Sequence, residues 1–213
     1  MQALALTLAV TLFILASATL LLHNAILRAL GAFLSVANPL EKADAILLLA
    51  GNPILTAPEA AFLLKEGWAP TILLVSEVKP PGYDELCADG IRAPRDHEIA
   101  TSILHEYGVP EEKIFLLDEG TAGTYPELKI LSRHLSSSGA RSAILVCLKT
   151  HSRRVRLILH RLLDPGIRSI IHPASRDPYQ PGGWWRNRLD FRHVVLEYTK
   201  LLNLWLWGDF WQP

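Results

Sequence analysis

The six residues 149–154, with the sequence KTHSRR, carry the side chains of this chain that are best suited to binding an anion. They follow an apolar run, 142–148, that is typical of a buried strand, and they precede a helical pattern at 155–163. A turn from strand to helix places them at a helix N-terminus, where free backbone N–H groups and the helix dipole attract anions. We predict that His151 is a catalytic acid or base. The anion ligands predicted beside it are Ser152, Arg153 and Arg154.

Polar residues also follow the other predicted strands. Gly51 and Asn52 come after the first strand, and Ser76 ends the second. Thr124 follows the third strand, and its spacing to Glu127 is that of a helix capping box. Ordinary turns and caps would explain each of these residues alone. Because the carboxyl ends of parallel strands share one edge of a sheet, we expect the four strand-end residues to line one positively biased cleft with His151.

A second catalytic candidate stands at the start of another predicted helix, 95–107. Asp96 and Glu98 lie in its first turn, where the helix dipole alone would favour carboxylates. If they face the cleft, they could act as a general base or bind a metal, and we predict Glu98 as the catalytic partner of His151. The sequence contains no GxGxxG, GxSxG or HExxH motif. It therefore predicts no metal site, and it identifies no cofactor.

Short apolar runs alternate with helical patterns from residue 45 onward. Continuously apolar strands separated by helices indicate a parallel sheet that is covered on both faces. We predict an α/β fold, a three-layer Rossmann-like sandwich with about five parallel strands, in residues 39–204. The predicted strands are 45–50, 71–76, 113–117, 142–148 and 167–172, and the predicted helices are 57–65, 95–107, 125–136, 152–163 and 189–206.

The N-terminus contains 20 residues without a charged side chain, 3–22. A helix of that length is about 30 Å long, which matches the hydrocarbon core of a bilayer. The small residues at 16–18 resemble a signal-peptide cleavage site, but no Lys or Arg precedes the apolar run, and apolar sequence continues beyond it. We predict a retained single-pass anchor with an interfacial extension, residues 1–38. The charges around it do not decide its orientation.

Charge is unevenly distributed along a chain whose formal net charge is zero. Residues 41–148 contain 9 basic and 16 acidic side chains, whereas residues 149–200 contain 11 basic and 4 acidic ones. The basic part could bind phosphate, carboxylate or anionic lipid, or it could pair with the acidic part of the same domain. We expect no nucleic-acid partner, because there is no basic run and no nucleic-acid-binding motif.

Several motifs occur in the order seen in the YdcF/SanA/ElyC-like proteins, and the chain resembles that family over residues 43–202. After the apolar N-terminus they are ADAI at 43–46, GVPEEKI at 108–114, TYPE at 124–127 and HSRR at 151–154, followed by the pair Trp184 and Trp185 and by EYTK at 197–200. The resemblance implies a Rossmann-like domain anchored to the bacterial inner membrane and facing the periplasm. It also implies a link to cell-envelope integrity and to lipid-carrier or peptidoglycan metabolism, and one member of the family is reported to bind S-adenosylmethionine.

The chain departs from the family pattern at three strand ends. The usual Gly-Gly after the first strand is Ala50-Gly51, the Asn before the Thr of the third motif is Gly123, and the Thr-Ser that usually ends the fourth strand is Cys147-Leu148. These differences remove hydrogen-bonding groups from the inferred cleft.

The C-terminal tail, 205–213, is rich in tryptophan, a residue that favours membrane interfaces. We expect residues 201–204 to pack on the domain and the aromatic end to contact a bilayer or a membrane protein. Two functions remain open. One is a membrane-anchored envelope protein that binds an anionic small molecule or a phosphorylated lipid carrier. The other is a non-catalytic accessory subunit of a membrane complex that uses the N-terminal helix and the tail as its interface.

Overall fold

The computed structural model describes residues 2–206, and their side chains from residue 6 onward. Within that range a parallel five-stranded sheet has the order β3-β2-β1-β4-β5. Its strands are β1 (Ala45–Leu48), β2 (Ile72–Glu77), β3 (Ile114–Thr121), β4 (Ser142–Cys147) and β5 (Arg168–Pro173). The helices are α1 (Gln2–Leu34), α2 (Pro53–Lys65), α3 (Tyr83–Ala88), α4 (Asp96–Glu106), α5 (Thr124–Ser138), α6 (Ser152–Leu162) and α7 (Arg188–Leu206), with 3-10 turns at Glu111–Lys113 and Trp184–Arg186.

The predicted three-layer α/β sandwich is confirmed. Alternate residues of the strands point to opposite faces, so Leu47 and Leu145 pack against α5 and α6, whereas Ile46 and Ile144 pack against α2 and α4. Both cores are aliphatic, which explains why the sequences of the central strands are unbroken apolar runs. The predicted bounds differ from the structure mainly at α2, which begins at Pro53, and at β3, which continues to Thr121. The sequence analysis also missed α3.

The strand order changes direction between β1 and β4. The chain runs outward from β1 through β2 to β3, and α5 then carries it back to β4 on the other side of β1. In open α/β sheets the loops after such a pair of strands diverge to opposite faces and leave a crevice at the carboxyl edge. Gly51 follows β1 and His151 follows β4, so both lie at this crevice.

Helix α1 contains one stretch, Leu6–Leu34, that is long and apolar enough to cross a membrane. The α1 end, residues 27–34, is built into the domain rather than joined to it by a linker. Five side chains donate hydrogen bonds of 2.7–3.1 Å to backbone oxygens of the α1 end, and three of these oxygens, at Gly31, Phe33 and Leu34, lie in the last helical turn, where carbonyl groups lack a helical partner. The donors and their acceptors are Trp184 to Leu27, Tyr198 to Leu30, Tyr179 to Gly31, Arg153 to Phe33 and Ser152 to Leu34.

Close packing explains the glycine at position 31. A Cβ on Gly31 would lie 2.6 Å from Cδ1 of Trp184 and 2.8 Å from the hydroxyl oxygen of Tyr179. Both rings belong to a small third core in which Leu34 and Val194 are also buried. Only a residue without a side chain lets the α1 end approach the domain this closely.

The predicted tail lies partly outside the described residues, which end at Leu206. Leu204 is buried against the main core, and Leu201 packs on the third core. Trp205 is 81 % exposed on the last turn of α7. The aromatic residues at 207–211 are among those that the structure does not describe.

Candidate functional site

A cavity of about 340 Å³ opens at the carboxyl edge of the sheet, between the ends of β1 and β4. Its walls come from the loops after these strands, the first turns of α4, α5 and α6, and one side of α7. Four of the residues predicted from the sequence line it: Gly51, Thr124, His151 and Arg154. A volume of this size is at the lower end of the range for small-molecule pockets.

His151 and Arg154 lie side by side because positions three apart on a helix share one face. Arg154 is only 7 % exposed, and it forms a bidentate ion pair with Glu197 of α7. Its Nε and Nη2 donate to the two carboxylate oxygens over 2.8 and 3.1 Å. Burial alone would raise the pKa of Glu197, but the close contacts with His151, whose Nδ1 lies 3.4 Å from Oε1, and with the guanidinium of Arg154 outweigh it and hold that pKa well below its usual range. The pair therefore stays ionised.

The guanidinium of Arg154 also fixes the state of the His151 ring. Nη2 of Arg154 lies 2.9 Å from Nδ1 of His151, and because a guanidinium can only donate, Nδ1 accepts. The proton then sits on Nε2, which donates to Oγ1 of Thr124 over 3.4 Å. Burial and the charge of Arg154 lower the pKa of His151. At neutral pH His151 is consequently a neutral ring that presents an N–H group at Thr124 on the cavity wall.

Glu127 is a cavity residue whose role the sequence analysis misread. Its side chain does not cap α5, which begins after Gly123 without a side-chain cap, so the predicted capping box is wrong. Instead Oε1 of Glu127 accepts a hydrogen bond of 2.8 Å from the backbone nitrogen of Ala50. Burial, together with the charges of Glu77 and Asp96, raises the pKa of Glu127 to about 8. Glu127 is therefore mostly protonated at neutral pH and can donate a hydrogen bond.

Two further carboxylates line the same end of the cavity. Glu77 is held by His97, whose Nδ1 lies 2.9 Å from its Oε2, and Nη2 of Arg95 lies 3.3 Å from the opposite ring nitrogen. Burial opposes ionisation of Glu77, but the hydrogen bond from His97 lowers its pKa overall. Asp96 accepts a hydrogen bond of 3.1 Å from the backbone nitrogen of Gly51. The hydrogen-bond partner of each carboxylate is a residue that is distant from it in the sequence.

The cavity is not positively biased, contrary to the expectation from the sequence. Its lining includes four carboxyl side chains, of Glu77, Asp96, Glu127 and Glu197, against the permanent charges of Arg154 and Lys200. The charges are unevenly distributed, however. Glu77, Asp96 and Glu127 form an acidic end at the carboxyl ends of β1 and β2, whereas Arg154 and Lys200 surround the single carboxylate of Glu197 at a basic end between α6 and α7, with His151 and His193. This arrangement suits a ligand that has an anionic group at one end and hydrogen-bond donors at the other.

Ser152 and Arg153, which we predicted as anion ligands, contact α1 instead of lining the cavity. The hydroxyl of Ser152 accepts a hydrogen bond of 2.7 Å from the backbone nitrogen of Val36 and faces the oxygen of Leu34. The guanidinium of Arg153 stacks 4.4 Å from the ring centroid of Phe33. The reason is helical geometry, because residues 152 and 153 point away from the face that carries residues 151 and 154.

The other three predicted residues also lie outside the cavity lining. Oγ of Ser76 is fully buried and donates over 2.6 Å to Asp118. Glu98 accepts a hydrogen bond of 2.8 Å from the backbone nitrogen of Arg95 and so caps α4. Asn52 precedes α2 with a φ of 154°, and its backbone oxygen accepts the first hydrogen bonds of that helix. None of the three is placed to act with His151.

Glu197 and Lys200 belong to the EYTK motif at 197–200, but the sequence did not indicate that they take part in the site. They lie on α7, more than forty residues after His151, and only the packing of that helix brings them to the cavity. Within residues 2–206, no group of three or more His, Cys, Asp or Glu side chains is arranged to hold a metal ion.

Comparison with known proteins adds no assignment. No protein-family model matches the chain, and no curated protein matches it. The resemblance to the YdcF/SanA/ElyC-like proteins therefore stays a prediction from the motifs.

Proposed function

We propose that this protein is a membrane-anchored protein of the bacterial cell envelope whose cavity binds an anionic small molecule or the head group of a phosphorylated lipid carrier. The observation that supports this most directly is the pair His151 and Arg154, held by Glu197 at the start of α6. These three side chains hold one another in place beside an open cavity, and they therefore form a pre-organised polar surface. A simple structural ion pair would not require the ring of His151 or the opening beside it.

The anionic group would lie at the basic end of the cavity. The Nε2–H group of His151 and the hydroxyl of Thr124 would donate to it, and Lys200, which is half-exposed, would supply charge. The N-terminus of α6 adds its dipole at the same place. Because the charge of Arg154 is already balanced by Glu197, its main role would be to orient His151.

The rest of the ligand would meet the acidic end. Protonated Glu127 can donate a hydrogen bond, and the side-chain oxygens of Glu77 and Asp96 can accept them. Hydroxyl or amine groups are the natural partners of this set. A phosphorylated sugar or amino sugar has both kinds of group, so this chemical class fits the lining better than a bare anion.

The position of α1 favours a ligand that is carried in the membrane. Residues 151 and 154 line the cavity, whereas the two residues between them hold the α1 end. The cavity and the membrane helix therefore meet at the same turn of α6, on the same edge of the sheet. A lipid-linked head group would reach the cavity without leaving the membrane surface.

The test is to purify the full chain in mild detergent and to identify bound molecules by native mass spectrometry. We expect an anionic molecule to co-purify with the wild type. His151→Ala should lower its occupancy about tenfold, because one hydrogen bond to a charged group is lost. His160→Ala, at an exposed histidine on the same helix, should leave it unchanged. Absence of any bound anion, or equal occupancy in both variants, would contradict the proposal.

One observation favours the second function, a non-catalytic accessory subunit of a membrane complex. The backbone nitrogens of Ala50 and Gly51, which could bind a ligand at the switch between β1 and β4, are occupied by Glu127 and Asp96. The same preparation distinguishes the two functions. A co-purifying membrane protein without a bound small molecule would support the accessory role, and a monodisperse monomer would count against it.

A further inference from the structure

Helix α7 has an exposed apolar surface that the cavity does not use. The α7 stripe is formed by Phe191, Val195, Leu202 and Leu206, which are 44–54 % exposed. At about 100° per residue their positions fall within about 60° of one another around the helix. The face of α7 that lines the cavity, with His193 and Lys200, is a different one. The stripe is therefore a separate surface of the domain.

The stripe lies beside the α1 end. Phe191 stacks on Trp184 with ring centroids 5.9 Å apart, and Tyr198, on the same side of α7, stacks on Phe33 at 6.2 Å. Nε1 of Trp184 donates to the backbone oxygen of Leu27, and the hydroxyl of Tyr198 donates to that of Leu30. Apolar surface is thus continuous from the membrane helix to α7.

Helix geometry places this junction close to the hydrocarbon. Leu27 follows Leu22, the last residue of the uncharged N-terminal stretch, by five residues, which is about 8 Å along a helix. The polar layer of each leaflet is roughly 5–8 Å thick. With no linker between α1 and the domain, Trp184 and Phe191 come within the head-group layer once α1 spans the bilayer.

The charges around the stripe are basic. Arg188 and Arg192 are exposed next to it, and Arg186 lies 5.8 Å from the ring centroid of Trp185. In the part of the chain that the structure describes, none of the three forms an ion pair. Asp190 is the one acidic residue between positions 184 and 196. Unpaired arginines beside an apolar stripe complement the head groups of anionic lipids.

We propose that the α7 stripe lies in the head-group layer of an anionic bilayer as a second membrane contact beside α1. The domain is then held flat on the membrane by two elements, with arginine side chains at the lipid phosphates. This inference concerns a surface outside the cavity, and it holds whether or not the cavity binds a ligand.

The test uses the full chain, reconstituted into nanodiscs with and without phosphatidylglycerol. The exposed Cys87 is first replaced by serine. One nitroxide label is then attached to a new cysteine, either at Val195→Cys in the stripe or at Ser137→Cys, an exposed control position at the opposite edge of the sheet. Collisions with oxygen report contact with lipid, and collisions with a water-soluble nickel complex report contact with water. We expect the ratio of oxygen to nickel collisions to be several-fold higher at Val195 than at Ser137, and to increase with phosphatidylglycerol.

Reversing the charge with Arg188→Glu and Arg192→Glu should remove the dependence on anionic lipid, whereas Arg141→Glu at the far edge should not. Equal ratios at Val195 and Ser137 in every lipid would overturn the proposal. So would spin–spin broadening between labelled Val195 positions, because it would place a second copy of the chain on the stripe. Neither result would bear on ligand binding in the cavity.

Discussion

Replacing Arg154 by methionine should lower the free energy of unfolding by about 3 to 5 kcal/mol, because it leaves Glu197 as a buried charge without its main partner. Lys200 also reaches Glu197, over 3.1 Å, but its side chain is half-exposed and its charge is screened by water. For a chain of this length the loss corresponds to a melting temperature lower by about 10 °C. Circular dichroism of the full chain in mild detergent measures it.

Two variants make this prediction specific to the buried pair. Arg156→Met removes an exposed arginine from the same helix and should change the free energy of unfolding by less than about 0.5 kcal/mol. The double variant Arg154→Met with Glu197→Met removes both charges and should recover most of the loss, since well-packed apolar residues often replace a buried pair without cost. If the double variant is as unstable as Arg154→Met alone, the cost lies in packing rather than in the unpaired carboxylate.

The second large effect concerns Glu127, whose raised pKa makes the free energy of unfolding depend on pH. Its pKa is about 8 in the folded chain and near 4.5 in the unfolded chain, so between these values folding takes up a proton. The stabilisation is fully present below pH 4.5 and is lost as the pH rises towards 8, at about 1.4 kcal/mol per pH unit. Glu127→Gln keeps an oxygen for the backbone nitrogen of Ala50 but cannot ionise. The variant should therefore become more stable than the wild type as the pH rises.

Unfolding of both proteins at pH 5, 6.5 and 8 measures the difference directly. The stability of the variant relative to the wild type should increase by roughly 4 kcal/mol over this range. Glu112→Gln, at an exposed position, controls for the loss of one surface charge and should give a constant difference. Parallel pH curves for Glu127→Gln and the wild type would show that Glu127 is ionised in the folded chain, and the protonated donor would have to be abandoned.

The layers of the fold could be predicted from the sequence because each layer depends on a local pattern of residues. Strands covered on both faces must be apolar throughout, and β4 shows this over every residue from Ser142 to Cys147 except its first. The position of the cavity followed as well, since His151 and Gly51 come directly after two strands that are neighbours in the sheet. These inferences needed no knowledge of tertiary contacts.

The details of the site could be predicted only in part. Ser152 and Arg153 were chosen for their chemical type, although the period of a helix already separates them from His151 and Arg154. No local pattern indicated that the carboxyl-terminal oxygens of α1 would receive hydrogen bonds from the domain, because that contact joins residues more than a hundred positions apart. Glu127 was misread for a different reason: a capping box was a sufficient local explanation, and its contact with Ala50 depends on the sheet.

Titration of the His151 ring shows whether the cavity holds an anion beside it. The full chain, labelled with ¹⁵N at histidine, is titrated with pH in detergent with and without dodecyl phosphate. A bound phosphate favours the protonated ring, so the pKa of His151 should rise by about one unit or more, while that of exposed His160 stays constant. If dodecyl phosphate leaves the His151 resonances and pKa unchanged, the cavity does not bind an anion there.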